Sequence, residues 1–166
     1  MVLETPNTEC IVFDPNSVLS DIAGDRITYS SGSCTEAIEA LNNDFDANDQ
    51  QKTTVCFMLN AVGLMSKLGA SEKENLSNIM INAKDNGNIK FLIIDTIDAI
   101  KTVNFEPWYK SNIDLAEGIW IGNGIANQFT LKVTTNARVL RAEVEPGFGY
   151  VIKKGKAALI KLICDE

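Results

Sequence analysis

The chain has 166 residues, and its 15 Lys and Arg against 22 Asp and Glu give a formal net charge of −7. An acidic chain is a poor general binder of nucleic acid or of anionic membranes, because its long-range field repels both. The absence of histidine excludes Ser-His and Cys-His nucleophile systems and imidazole-based zinc sites. The length suits one domain with a sizeable core.

Apolar runs alternate with amphipathic segments along the chain. None of the runs reaches about 18 residues, so we expect no membrane span, and the first ten residues do not resemble a signal peptide. The four cysteines form no C-x-x-C pair and are expected to be free thiols. In chain order, the predicted elements are strand 10–15, helix 33–45, strand 53–60, helix 71–87, strand 90–95, strand 118–122 and a β-hairpin over 148–163.

Two of these segments carry clear boundary signals. The helix 71–87 begins with the capping-box pattern Ser71-x-x-Glu74 and ends at Asn86-Gly87. The hairpin has Lys154-Gly155-Lys156 between its two apolar runs.

Strands that are apolar on both faces and alternate with helices predict a mainly parallel sheet covered by helices. We expect the strands 10–14, 54–59, 90–95 and 118–122 to be mutually parallel, with the hairpin 148–163 at one edge.

The sequence lacks the loop that binds nucleotide phosphates. That loop has the pattern G-x-x-x-x-G-K-[ST], in which backbone amides converge on the oxygens and the lysine bridges the outer phosphates. The nearest match, Gly155-Lys156, is followed by Ala157 and lies within the predicted hairpin. The glycine-rich dinucleotide pattern is absent as well.

The segment KFLIID ends in Asp95, as does the strand that holds magnesium in many ATPases. The chain from Asp95 to the next predicted strand contains Pro107 and is too short and irregular for another helix and strand. We therefore assign the metal-binding position to the end of the preceding strand, where Asn60 stands. A neutral amide binds Mg²⁺ more weakly than a carboxylate, and Ala61 and Val62 leave no glutamate to activate water.

The order of these segments, ending in PGFGYVIKKGK at 146–156 and preceded by FEPWYK at 105–110, resembles one family. It is similar to the last ATPase-like domain of the EssC family, the FtsK/SpoIIIE-type motors of the type VII secretion system. The resemblance covers nearly the whole chain. It implies an α/β, RecA-like (P-loop NTPase-type) three-layer sandwich with a C-terminal hairpin. An edge position for 90–95, or antiparallel pairing with 54–59, would contradict such a sheet.

The resemblance also implies a role for residues 1–166 as a single, degenerate domain. It would be a cytoplasmic part of a longer cell-membrane protein that forms hexamers. Its partners would be secreted helical-hairpin proteins and the preceding ATPase domains of the same motor, with no nucleic acid. The chain departs from active members because the phosphate-loop unit is missing and Asn60 replaces the acid. We therefore expect no ATP hydrolysis and no cofactor.

Several alternatives stay open at this stage. The chain could instead be part of an active ATPase whose phosphate loop lies outside it or comes from a neighbouring subunit. Asp14 ends a strand like the phospho-acceptor of a receiver domain, although no acidic pair precedes it. Phe105, Trp108 and Tyr109 are either core residues, which is the default for aromatic side chains, or an exposed patch that binds a partner.

Overall fold

The computed structural model describes residues 5–19, 24–47 and 49–162. It forms two compact units, Met1–Asn112 (unit 1) and Ile113–Glu166 (unit 2), which are described separately. Within the described residues, no helix has the length and apolar character needed to cross a membrane. The prediction of a single domain stays a prediction.

Unit 1 is an α/β structure built on a four-stranded parallel sheet with the strand order β2-β1-β3-β4. The prediction of a mainly parallel sheet is confirmed for the strands at 10–14, 54–59 and 90–94. The strands are β1 (Thr8–Asp14), β2 (Ile27–Ser31), β3 (Thr53–Leu59) and β4 (Ile89–Ile94), and the helices are α1 (Thr35–Ala47), α2 (Ala61–Lys67), α3 (Ala70–Asn86), α4 (Ile97–Thr102) and α5 (Pro107–Asn112).

Strand β4 lies at an edge of the sheet, although it pairs with β3 in parallel as predicted. The expectation that 90–95 is a buried strand was wrong: Ile89 is buried, whereas Leu92 and Ile94 are each 45% exposed. A RecA-like sheet would have β4 in its interior. Within the described residues, the sheet does not meet this expectation.

The helices α1 and α3 contact each other as well as the strands, so they lie on one face of the sheet. On β3, the buried Thr54, Cys56 and Met58 alternate with half-buried side chains. The exposed Leu92 and Ile94 share a face with those half-buried residues, because paired residues of parallel strands point the same way. Cys10 and Val12 of β1 lie on that same face and are buried, so the face is covered at its centre. The three-layer arrangement stays a prediction.

Two local features of unit 1 differ from expectation. Strand β2 was not predicted, because its run ITYSS is short. In the structure, only Ser30 of this strand is buried. Helix α3 ends at Asn86 with Gly87 in the left-handed region, as predicted, but it begins at Ala70. The return bond of its first turn comes from Glu72, whose Oε2 accepts from the Gly69 amide at 3.1 Å. The proposed Ser71–Glu74 box was therefore wrong in its register.

Unit 2 contains a three-stranded antiparallel sheet with the order β5-β6-β7. The strands are β5 (Gly118–Ile121), β6 (Phe148–Lys153) and β7 (Lys156–Lys161), joined by loops that include a 3-10 turn (Ile125–Asn127) and α6 (Ala137–Leu140). The hairpin is confirmed, and its turn residues Lys154 and Gly155 both have positive φ. Residue 163 of the predicted hairpin and Cys164 lie outside the described residues.

The prediction that 118–122 belongs to the parallel sheet was wrong. Strand β5 pairs antiparallel with β6, and a Cβ at Gly149 would come 2.5 Å from the carbonyl oxygen of Trp120. Glycine at this position therefore permits the close approach of the two strands.

The core of unit 2 lies on one face of its sheet. It contains the buried residues Ile125, Leu140, Tyr150 and Ile152. Trp120 and Ala157 pack against this cluster from β5 and β7. The opposite face carries Ile119 and Ile121, which are exposed.

Candidate functional site

The carboxyl ends of β1, β3 and β4 meet at one edge of the parallel sheet, which is the usual ligand edge of open α/β sheets. Asp14 is the last residue of β1, Asn60 follows β3 directly, and Asp95 follows β4 directly. The structure therefore brings to one edge the three polar residues that the sequence singled out at strand ends.

Asn60 occupies a left-handed backbone conformation, with φ 47° and ψ 50°, where it caps α2. Asparagine tolerates this region better than most residues. Its side chain makes no capping hydrogen bond and lies against Gly63, where any Cβ would overlap the amide. Its backbone amide donates to the carbonyl oxygen of Ile94 at 2.9 Å, which ties the end of β3 to β4. The amide is thus packed over the first turn of the helix.

Asp95 supplies the helix cap that Asn60 does not. Its Oδ2 accepts from the backbone amide of Val62 at 2.9 Å, and its Oδ1 accepts from the amide of Thr96 at 2.7 Å. Val62 lies in the first turn of α2, where amides have no partner within the helix and a negative charge is favourable. Asp95 therefore stabilises a helix from the neighbouring strand, and both of its oxygens accept backbone hydrogen bonds.

Replacing Asp95 with Ala is expected to lower the free energy of unfolding by about 1 kcal/mol, the usual effect of losing a helix cap. Chemical denaturation of the full chain measures it. The matched control is Asp98→Ala, since Asp98 is 86% exposed and forms only a surface ion pair with Lys101. Equal stability of the two variants would contradict the assigned role of Asp95.

Asp14 is fully buried, and its carboxylate organises the turn after β1. Oδ1 accepts from the amide of Val18 at 3.0 Å, while Oδ2 accepts from the amide of Leu19 at 2.7 Å and lies 3.0 Å from the Tyr29 hydroxyl. Burial alone would raise the pKa of Asp14, but these hydrogen bonds outweigh it and hold the pKa below its ordinary value. A carboxylate engaged in this way is a structural group, which argues against the phospho-acceptor hypothesis.

Candidate metal ligands do not gather at this edge. Among the described residues, no group of three or more Cys, Asp or Glu side chains could hold a metal ion. Cys10, Cys34 and Cys56 are buried free thiols, as expected, and burial raises the pKa of each.

The structure separates the three aromatic candidates. Trp108 and Tyr109 are 1% and 5% exposed and lie on α5, which packs on α3; their rings are 5.9 Å apart in a T-shaped arrangement. Phe105 is 83% exposed, and the Nζ of Lys110 lies 5.4 Å from its ring centre. The default expectation of a core position is confirmed for Trp108 and Tyr109. Of the three, Phe105 alone is available to a partner in this fold.

Sequence reasoning missed Tyr29 and Lys67 at this edge. The Tyr29 hydroxyl contacts both Asp14 and the carbonyl oxygen of Leu19, the latter at 2.7 Å. Lys67 of α2 reaches Asn16 Oδ1 at 3.5 Å. Recognition of β2 would have revealed Tyr29, since its run ITYSS contains the β-branched and aromatic residues typical of strands.

The chain was compared with protein-family models, with curated proteins and with solved structures, and none of them matches it.

Proposed function

We propose that this chain is a non-hydrolysing, ATPase-like domain of a type VII secretion motor, which binds protein rather than nucleotide. The proposal rests on two observations. The order of segments resembles that of the EssC family, and the residues at the carboxyl edge of the parallel sheet, where ATP would be hydrolysed, are not arranged for catalysis. In this proposal the domain is a cytoplasmic part of a cell-membrane protein. Its partners are secreted helical-hairpin proteins and the preceding ATPase domains of the motor, within a hexamer of the full-length protein.

The observation that carries the proposal is the arrangement of the polar residues at two neighbouring strand ends, Asn60 after β3 and Asp95 after β4. Hydrolysis of ATP needs a carboxylate to hold Mg²⁺ where β3 ends. The amide of Asn60 stands there, packed on Gly63. Asp95, the acid that follows the neighbouring strand β4, already accepts two backbone hydrogen bonds. Neither group is arranged for metal binding, which favours a role in docking or regulation.

The sheet supports this proposal in part. The parallel pairs β1–β3 and β3–β4 follow the expected order, while the edge position of β4 departs from a complete RecA-like sheet. That edge position counts against the RecA-like component of the proposal, which the parallel pairing of β1, β3 and β4 alone supports.

Titration of magnesium-ATP into the purified chain tests the proposal directly. We expect no binding by calorimetry at sub-millimolar nucleotide, because no loop converges backbone amides and a lysine on the phosphates. We also expect Asn60→Asp to show no ATP turnover, since one new carboxylate does not replace that cradle.

Two outcomes would contradict the proposal. Sub-millimolar affinity of the chain for ATP would favour the alternative, an active ATPase that is completed by a phosphate loop from outside the chain. Turnover gained by Asn60→Asp would mean that position 60 faces a nucleotide after all. Asn60→Asp suits this test because aspartate is isosteric with asparagine and also tolerates the left-handed backbone, so we expect the variant to keep the fold.

A further inference from the structure

One face of the sheet in unit 2 is apolar and open to solvent. The core cluster packs on the opposite face, through Tyr150 and Ile152. On the open side, Ile119 is 59% exposed and Ile121 is 67% exposed. The strand register brings five apolar side chains to this side, which we call the open face: Ile119, Ile121, Val151, Ala158 and Ile160.

The open face ends in positive charge. Lys153 and Lys156 lie directly opposite each other, on the same side of the sheet as Val151 and Ala158. Like charges in such a cross-strand pair destabilise a sheet, and no salt bridge is found for either lysine within the described residues. Glu117 lies near this end, but its Oε1 accepts from the amide of Lys154 at 3.0 Å. A cationic end is notable on a chain with a net charge of −7.

We propose that the open face binds an amphipathic helix of a partner protein. The apolar stripe of the helix would cover Ile119 and Ile121, and carboxylates at one end would lie against Lys153 and Lys156. Helices are the common cover of a sheet face, and amphipathic helices bind through evenly spaced apolar side chains. The carboxylates would relieve the repulsion between the two lysines and fix the orientation of the helix.

An anionic bilayer offers similar chemistry but fits less well. A bilayer presents its negative charge as an extended surface that meets the net charge of −7 of the whole chain, whereas the proposed helix brings carboxylates only to Lys153 and Lys156. The aromatic residue of β5, Trp120, packs against the core cluster and is not on the open face, so the aromatic anchor typical of membrane interfaces is missing there. The proposal involves neither Asn60 nor Phe105, and its failure would leave the proposed function standing.

The test is titration of the full chain with two designed helical peptides that share one stripe of leucines. One peptide carries glutamates in its first turn, where they also suit the helix dipole, and the other carries lysines there. We expect the acidic peptide to bind about ten-fold more tightly at low salt. The difference should shrink as salt is raised, because exposed charges are screened.

Two variants and one control locate the site. Ile121→Ser is expected to weaken the acidic peptide about ten-fold, as loss of an apolar anchor does. Lys156→Glu is expected to remove the preference between the peptides. Val139→Ser is the control, since Val139 is 63% exposed but lies on α6, away from the open face. Circular dichroism confirms that each variant is folded.

Three results would overturn the proposal. The first is failure of the peptide test, seen either as equal affinity for the two peptides or as binding that is unchanged in Ile121→Ser. The second is binding of the chain to phosphatidylglycerol vesicles that Ile121→Ser abolishes, which would assign the face to a membrane. The third is self-association in sedimentation that the same variant abolishes, which would assign it to a second copy of the chain.

Discussion

Trp108→Ala is expected to lower the free energy of unfolding by about 3–5 kcal/mol, the range for removing a large aromatic side chain from a core. Trp108 is 1% exposed, and its ring meets that of Tyr109 edge to face. Helix α5 has only six residues, so its position depends on packing against α3 rather than on its own stability. Chemical denaturation of the full chain, monitored by far-UV circular dichroism, measures the effect.

Phe105→Ala is the matched control for this experiment, because Phe105 is 83% exposed. It should change the stability by less than about 0.5 kcal/mol. Under the proposed function, the same variant weakens binding of a secreted helical-hairpin substrate while the fold is kept. A Trp108→Ala variant that kept full stability would contradict the core position of Trp108. Unchanged substrate affinity in Phe105→Ala would exclude Phe105 as a residue that binds the secreted partner.

Asp14→Asn is expected to destabilise the chain by about 1–3 kcal/mol at neutral pH. The variant removes the charge from a buried group. It also places an amide N–H against at least one of the groups that donate to the carboxylate, which are the amides of Val18 and Leu19 and the hydroxyl of Tyr29. Because the pKa of Asp14 is lower in the folded chain than in the unfolded chain, its contribution is fully present above the unfolded pKa. That contribution is lost as the pH falls through the folded pKa.

The stability difference between the native chain and Asp14→Asn should therefore be largest at neutral pH and shrink in the acid range. Urea denaturation over a pH series measures it. Asp25→Asn is the control for the loss of a surface carboxylate, since Asp25 is exposed in the turn before β2. A difference that stays constant down to acid pH would contradict the assignment of a lowered pKa to Asp14.

The sequence predicted where the strands of unit 1 lie in the chain better than it predicted the order of the strands in the sheet. The apolar runs at β1, β3 and β4 gave both the strands and their parallel pairing, because amphipathic helices separate them. The edge position of β4 was not predictable, since an apolar run indicates a buried strand but does not show which strands pair with it. The same limit explains β5, whose run GIWI suits either sheet, and β2, whose run is too short to stand out.

The candidate site shows a similar division. The position of Asn60 at the end of β3 followed from the sequence alone. The capping of α2 by Asp95 did not, because it depends on the register that aligns Leu59 with Ile94. The aromatic cluster also could not be divided in advance, since the burial of Trp108 and the exposure of Phe105 arise from how α5 packs on α3.

The hydrogen bond from the Val62 amide to Asp95 makes one backbone proton of α2 a reporter of a different element. That amide is protected from hydrogen–deuterium exchange only while the loop after β4 holds its carboxylate in place. A partner that tightens or displaces the exposed edge of the sheet would change the exchange rate of Val62 even without touching α2. The amide resonance of Val62 therefore reports whether the segment after β4 is in its native position.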